Sequence, residues 1–126
     1  MEISKPYYGK IEDLGIVETA KGGDISKRVV FGPGKFWDDH VMRVFTIKQG
    51  ASSPCHSHDW PHYVIFLQGK AEAKISDAKF VVEKGCYVFV PSNEEHTFLN
   101  VGNEDMTFIC IVPAKGDNYT FESVGK

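Results

Sequence analysis

Gly50–Gly69 reads GASSPCHSHDWPHYVIFLQG and gathers three of the chain's five histidines, His56, His58 and His62, within seven residues. Residues two apart on an extended strand face the same side, so His56 and His58 can present their imidazoles to one point. A helix would separate them. It is also disfavoured locally, because Pro54 and Pro61 bracket the pair and each lacks a backbone donor. After Pro61 the run His62-Tyr-Val-Ile-Phe-Leu67 is β-branched and aromatic, and reads as a strand stopped at Gly69. His62 therefore stands where a loop re-enters a sheet and can turn back toward the first pair. The bland alternative is a solvated histidine-rich loop; a metal site is the sharper reading, and a fourth ligand from elsewhere would strengthen it.

Outward from this stretch the chain is punctuated into short strands. Arg28–Phe31 ends at Gly32-Pro33-Gly34, and Val41–Ile47 runs to Gly50. In the latter, Arg43, Phe45 and Ile47 share one face and Met42, Val44 and Thr46 the other. Arg43 reads as a snorkelling edge residue or as a pocket anchor for an anion, with the edge reading ahead. Lys70–Ile75 alternates charged residues with Ala71, Ala73 and Ile75, the pattern of a strand with a solvated outer face. Lys79–Glu83, Gly85–Val90, His96–Asn100 and Met106–Val112 complete the series. No long helical period occurs, so the fold class is all-β, a sandwich or barrel.

One domain is expected from 126 residues. Residues 1–26 read as an arm with short strands, too apolar for a free tail, that covers a sheet edge of its own subunit or of a neighbour. Residues 27–113 form the barrel, and residues 114–126 a tail that is polar apart from Tyr119 and Phe121. Fourteen basic against 17 acidic residues give a net charge of −3, with a pI near 5.9, which argues against nucleic-acid or membrane partners. The first residues lack a secretory apolar core, so cytoplasmic residence is expected. Cys55, Cys86 and Cys110 are odd in number without C-x-x-C spacing and read as reduced thiols.

The two organised stretches together resemble the cupin superfamily of double-stranded β-helix (jelly-roll) barrels. Gly50, His56, His58 and Gly69 fall on its first motif, with His62 where a glutamate is usual. Gly85, Pro91, His96 and Asn100 fall on its second, with Asn93 replacing the inner glycine. Asn suits that exchange because it tolerates a left-handed turn. Segments such as KRVVFG, VMRVFT and FICIVP look like small single-domain bacterial cupins whose four ligands are all histidines and which are associated with manganese.

The resemblance implies that His56, His58, His62 and His96 are metal ligands for one divalent ion per subunit, manganese by likeness, with iron, zinc, nickel and copper also suited to imidazole. His40, on neither motif, reads as an ordinary strand-end histidine. Alternation from the inward histidines gives pocket walls that include Phe66 and Phe98; the resemblance, which places the Met106–Val112 strand beside the metal, implies Phe108 and Cys110 as well, joined by Phe45 and Arg43 if that face of Val41–Ile47 turns in. Cys110 reads as a small buried hydrophobe before it reads as a reactive thiol.

Three functions compete for this pocket. The leading one is an oxidoreductase that uses dioxygen or peroxide on a small organic substrate. The others are a sugar or keto-acid isomerase or epimerase, which needs a proton-transfer group such as Tyr87 turned inward, and a non-catalytic ligand-binding or metal-sensing module. Tyr63, Ile65 and Leu67, on the back of the His62 strand, are as apolar as its front, so that strand is expected to be covered on both faces, by the arm or in a homodimer.

Overall fold

The computed structural model describes residues 4–119, and of residues 18, 19 and 21 the backbone alone. Phe121 lies outside the described residues. Among the described residues nine strands follow one another: β1 (Glu18–Ala20), β2 (Ile25–Phe31), β3 (His40–Ile47), β4 (His62–Gln68), β5 (Lys70–Ile75), β6 (Ala78–Glu83), β7 (Tyr87–Val90), β8 (His96–Asn100) and β9 (Met106–Pro113). The first sheet has the order β1-β2-β3-β9-β4-β7 and the second β6-β5-β8, with antiparallel pairing throughout. Bridges from Ser52 to Leu99 and from His56 to His96 lay the 51–56 stretch beside β8 and lengthen the second sheet. No helix among the described residues is long and apolar enough to cross a membrane.

Period-two alternation puts the core between the sheets. On β9, Met106, Phe108, Cys110 and Val112 are buried while Thr107, Ile109 and Ile111 are half-buried on the other face. In register beside them lie Arg43 and Phe45 of β3 and Val64 and Phe66 of β4. The rings of Phe66, Phe98 and Phe108 meet at centroid distances of 5.3 to 5.4 Å and fill the barrel's middle. Gly69 ends β4 at φ 87°, where a Cβ would stand 2.8 Å from the Met106 Cα; only glycine fits there.

Two readings change, and one open alternative is decided. β3 is an interior strand between β2 and β9, so Arg43 faces the barrel interior at 7% exposure, not the edge. The strand expected from Arg28 begins at Ile25, and Ile25, Lys27 and Val29 alternate inward. The arm pairs through β1 with β2 of its own chain, four places from β4 in the sheet order. It therefore leaves the outer face of β4 uncovered, with Tyr63, Ile65 and Leu67 at 36% to 46% exposure.

The chain after β9 returns to the barrel. Ala114–Gly116 makes a 3-10 turn, and the Asp117 carboxylate then reaches inward to Lys27 Nζ at 2.9 Å and Arg43 Nη1 at 3.0 Å. The three side chains are 4% to 10% exposed. Truncating one partner of such a pair leaves charge buried without compensation and costs about 3–5 kcal/mol. Asp117→Ala should destabilise the protein by that amount in denaturant titration, whereas Lys115→Ala, which breaks a surface pair with Asp59 at 3.5 Å, should cost about 0–1 kcal/mol.

Candidate metal centre

His62 opens β4, so it is held by the sheet ladder opposite Val90 and points inward with Val64. His96 opens β8 in the second sheet. His58 lies in the loop between the bridged 51–56 stretch and β4. Its carbonyl accepts a hydrogen bond from the Asn93 N–H, and Asn93 holds the left-handed turn before β8 at φ 66°. The two halves of the barrel are thus joined at the histidines. His56 and His96 add a reciprocal pair of backbone hydrogen bonds, of 3.2 and 2.8 Å.

Ring centroids of His62 and His96 are 4.5 Å apart, those of His58 and His62 5.3 Å, and those of His58 and His96 5.7 Å. One potential ligand atom from each of these three lies within 4.8 Å of the others, the spacing a single ion would need. His56 stays outside this group; it is exposed, with its ring edge-on to His58 at 5.2 Å. His40 is remote from the cluster in its contacts, stacked on Trp37 and bonded to Asp39.

The nitrogens are arranged to act as neutral donors. His62 Nε2 is buried and has no hydrogen-bond partner among the described residues. Its Nδ1 faces Cys110 Sγ at 3.5 Å. His96 Nδ1 lies 3.1 Å from the Glu94 carbonyl, which can only accept; that fixes the proton on Nδ1 and frees the Nε2 lone pair. Burial above all, then the neighbouring His96 and Arg43, pulls the His62 pKa from 6.5 down to about 3. Burial likewise lowers His58, with help from His56 and His96. In His96 burial outweighs the raising effect of the Glu94 carbonyl. Neutral imidazole is the form that ligates, and an orphaned buried nitrogen among two other histidines is what a metal ion would satisfy.

The cluster opens into a cavity of about 370 Å³. Arg43, Phe45, Phe98, Phe108 and Cys110 all line it, as do His56, Val64 and Ile47. Phe66 does not: at 1% exposure it is packed beneath, closing the floor. Arg43 spends its donors within the protein, on the Cys110 carbonyl at 3.2 Å, Cys110 Sγ at 3.1 Å and Asp117, and lies 5.0 Å from the centre of the Phe45 ring. Burial raises the Cys110 pKa against the opposing pull of Arg43, which keeps the thiol protonated.

Lys27, Gly116 and Asp117 also border the cavity and were missed from the sequence. Alternation with Ile25 and Val29 could have flagged Lys27; nothing local marks Asp117. A wider groove at Gln49, Gln68, Lys84 and Asn103 has neither histidine nor cysteine in its lining, so the potential metal ligands gather at the histidine-lined cavity.

An antiparallel jelly-roll barrel with histidines from both sheets at one internal cavity defines a class before any comparison. The Cupin domain family matches residues 43–112 by sequence, and the chain belongs to that family. No protein of curated function matches it in sequence. In structure it is similar to the polyketide cyclase RemF from Streptomyces resistomycificus (TM-score 0.76, 21% identity, covering 87% of this chain and 80% of that one). A cupin-2 domain from Rhodospirillum rubrum gives TM-score 0.72 at 22% identity, covering 92% and 79%. A predicted oxalate decarboxylase from Thermotoga maritima gives 0.65 at 18%, covering 71% and 79%. At these identities the likeness establishes the fold alone.

In the metal-free protein the depressed histidine pKa values make stability pH-dependent. The unfolded chain takes up these protons near pH 6.5, the folded one at His62 only near 3, so acid favours unfolding across that window. Denaturation midpoints of chelator-treated protein should be level above about pH 7 and fall steadily from about 6.5 toward 3. The fall should be shallower in His62→Gln.

Proposed function

We propose that the chain binds one divalent metal ion per subunit through His56, His58, His62 and His96 and is an oxidoreductase that uses dioxygen or peroxide on a small organic substrate. The observation that carries the metal is the buried His62 Nε2, which has no hydrogen-bond partner among the described residues and lies beside His58 and His96. His56 would join from the exposed side, where its backbone bonds to His96 already keep it adjacent. Manganese is the expected ion by likeness to the four-histidine cupins, with iron next; zinc, nickel and copper also suit imidazole. When bound, the ion would supply Lewis acidity and, as manganese or iron, redox chemistry.

The chain's own contribution is the cavity. Phe45, Phe98 and Phe108 give it apolar walls that exclude water and accommodate an apolar body. The isomerase reading is weaker, because it needs a group free to carry a proton. Tyr87 is 85% exposed and Asp117 is committed to Lys27 and Arg43. The cyclase and predicted decarboxylase among the structural neighbours are reminders that one fold hosts several chemistries.

The expected assembly is a homodimer through the β4–β7 outer face. Tyr63 opposes Phe89 there and Ile65 opposes Tyr87, all exposed. Light scattering at micromolar concentration should give twice the chain mass; a monomeric mass would rule the dimer out.

Elemental analysis of tag-free protein purified without added metal should find near-stoichiometric manganese or iron, lost in both His62→Ala and His96→Ala. Aerobic and peroxide assays on small aromatic and apolar substrates then test turnover. Metal without turnover would favour the binding-module reading, and no metal in a folded wild type would overturn the ligand assignment.

A further inference from the structure

Of the three clustered histidines, His58 alone lies outside a regular strand, so something other than a sheet ladder must hold its ring. Its imidazole is stacked on the Trp60 indole, centroids 4.7 Å apart and planes within 5°. The Nε1–Cε2 edge of the indole meets the returning C-terminal segment at Gly116. A Cβ built there would stand 2.8 Å from Trp60 Nε1 and 3.0 Å from both Trp60 Cε2 and Val112 Cβ. The approach is tighter than any side chain permits, and the Gly116 backbone is not in the left-handed region, so space is what excludes a larger residue.

Trp60 Nε1 is buried there with no hydrogen-bond partner among the described residues. A buried indole N–H normally finds an acceptor. Here the ring is set by packing instead, between Gly116 and His58. Gly116 is held by its neighbour: Asp117 is locked to Lys27 and Arg43, while Lys115 adds only an exposed pair with Asp59 at 3.5 Å. Tyr119 adds a hydrogen bond from its hydroxyl to the Pro33 carbonyl, with its ring against Gly32.

We infer that Gly116 and Trp60 are positioning residues for the metal centre: the C-terminal turn, anchored by Asp117, presses the indole onto His58 and fixes that imidazole's plane toward His62 and His96. The inference rests on the metal-centre reading above. It adds a dependence of ligand geometry on a segment more than 50 residues away in sequence from His58. A ligand ring with a fixed plane binds without losing rotational freedom, and support of this kind commonly changes metal affinity by about 10–100-fold.

The test compares full-length wild type, Gly116→Ala and Gly116→Ala/Trp60→Phe, each stripped of metal and titrated with Co²⁺. The visible absorption of the bound ion reports coordination geometry directly. Gly116→Ala should keep its far-UV circular dichroism, melt at a somewhat lower temperature because Trp60 and Val112 must yield, bind Co²⁺ at least about tenfold more weakly and show an altered band shape. Trp60→Phe removes the indole edge that the new methyl strikes but keeps a ring against His58, so the double variant should regain most of the affinity and the band. Wild-type affinity and spectrum in Gly116→Ala would overturn the inference. So would a loss that Trp60→Phe fails to relieve, since that would mark a general packing defect.

The His58 ring resonances of the metal-free proteins separate the two readings. If wild type binds no Co²⁺ but those resonances move in Gly116→Ala and return in the double variant, the metal centre fails and the positioning of His58 stands. If they do not move, the positioning fails as well.

Discussion

Keeping a ring nitrogen dry, uncharged and unpartnered is the constraint on which the rest of this structure depends. His62 Nε2 is sequestered without a hydrogen bond among the described residues, and burial holds its imidazole neutral to about pH 3. Such a nitrogen costs free energy unless something satisfies it, and it persists only where the surroundings are rigid. The Phe66, Phe98 and Phe108 cluster supplies that rigidity from below, and strands β4 and β8 from the sides. The polar demands of the ends of these strands are met elsewhere. Asn100, for example, donates to the Ile47 and Glu104 carbonyls and accepts from Gly102, so it closes β8 without entering the cavity.

Charge is arranged around this nitrogen with equal economy. Arg43 lies next to Cys110, which in turn faces His62, so a permanent positive charge stands one sulfur atom from the cluster. It helps keep the histidines unprotonated. The Asp117 carboxylate neutralises part of that charge from the C-terminal turn and ties β2 and β3 together through Lys27 and Arg43. The same turn closes against Trp60, so the Asp117 ion pairs and the packing against the His58–Trp60 stack depend on a single folded segment. A cavity built this way has apolar walls, few uncommitted polar groups and its reactive potential concentrated at the histidines, which is why its proposed chemistry is assigned to a metal and not to a side-chain acid or base.

Much of the site could be read before folding. The H-x-H pair, the third histidine at the mouth of a strand and the later Pro91-to-Asn100 stretch carried enough spacing to point to a cupin and to the residues that cluster. Period-two alternation from the histidines gave the inward faces of β4 and β8, the cupin resemblance gave that of β9, and Phe98, Phe108 and Cys110 do line the cavity. Alternation could not tell which of two inward rings lines a void and which fills the barrel beneath it, and Phe66 proved to be the filler. Arg43 was harder still, because whether an arginine sits on an edge or in an interior depends on which strands flank it, and β9 arrives about 65 residues later in the chain to cover β3.

What the sequence by itself determined is therefore local: strand periodicity, turns that demand glycine or asparagine, and the short-range spacing of His56, His58 and His62. These follow from backbone sterics and side-chain period, which act over a few residues. Tertiary structure alone decided that His58, His62 and His96 form the close group while His56 stands beside it, that the arm stays on β2, and that Asp117, Lys27 and Gly116 belong to the cavity. Those outcomes depend on contacts between residues up to 90 positions apart. Charge pairing and van der Waals exclusion act through space, so no pattern along the chain records them.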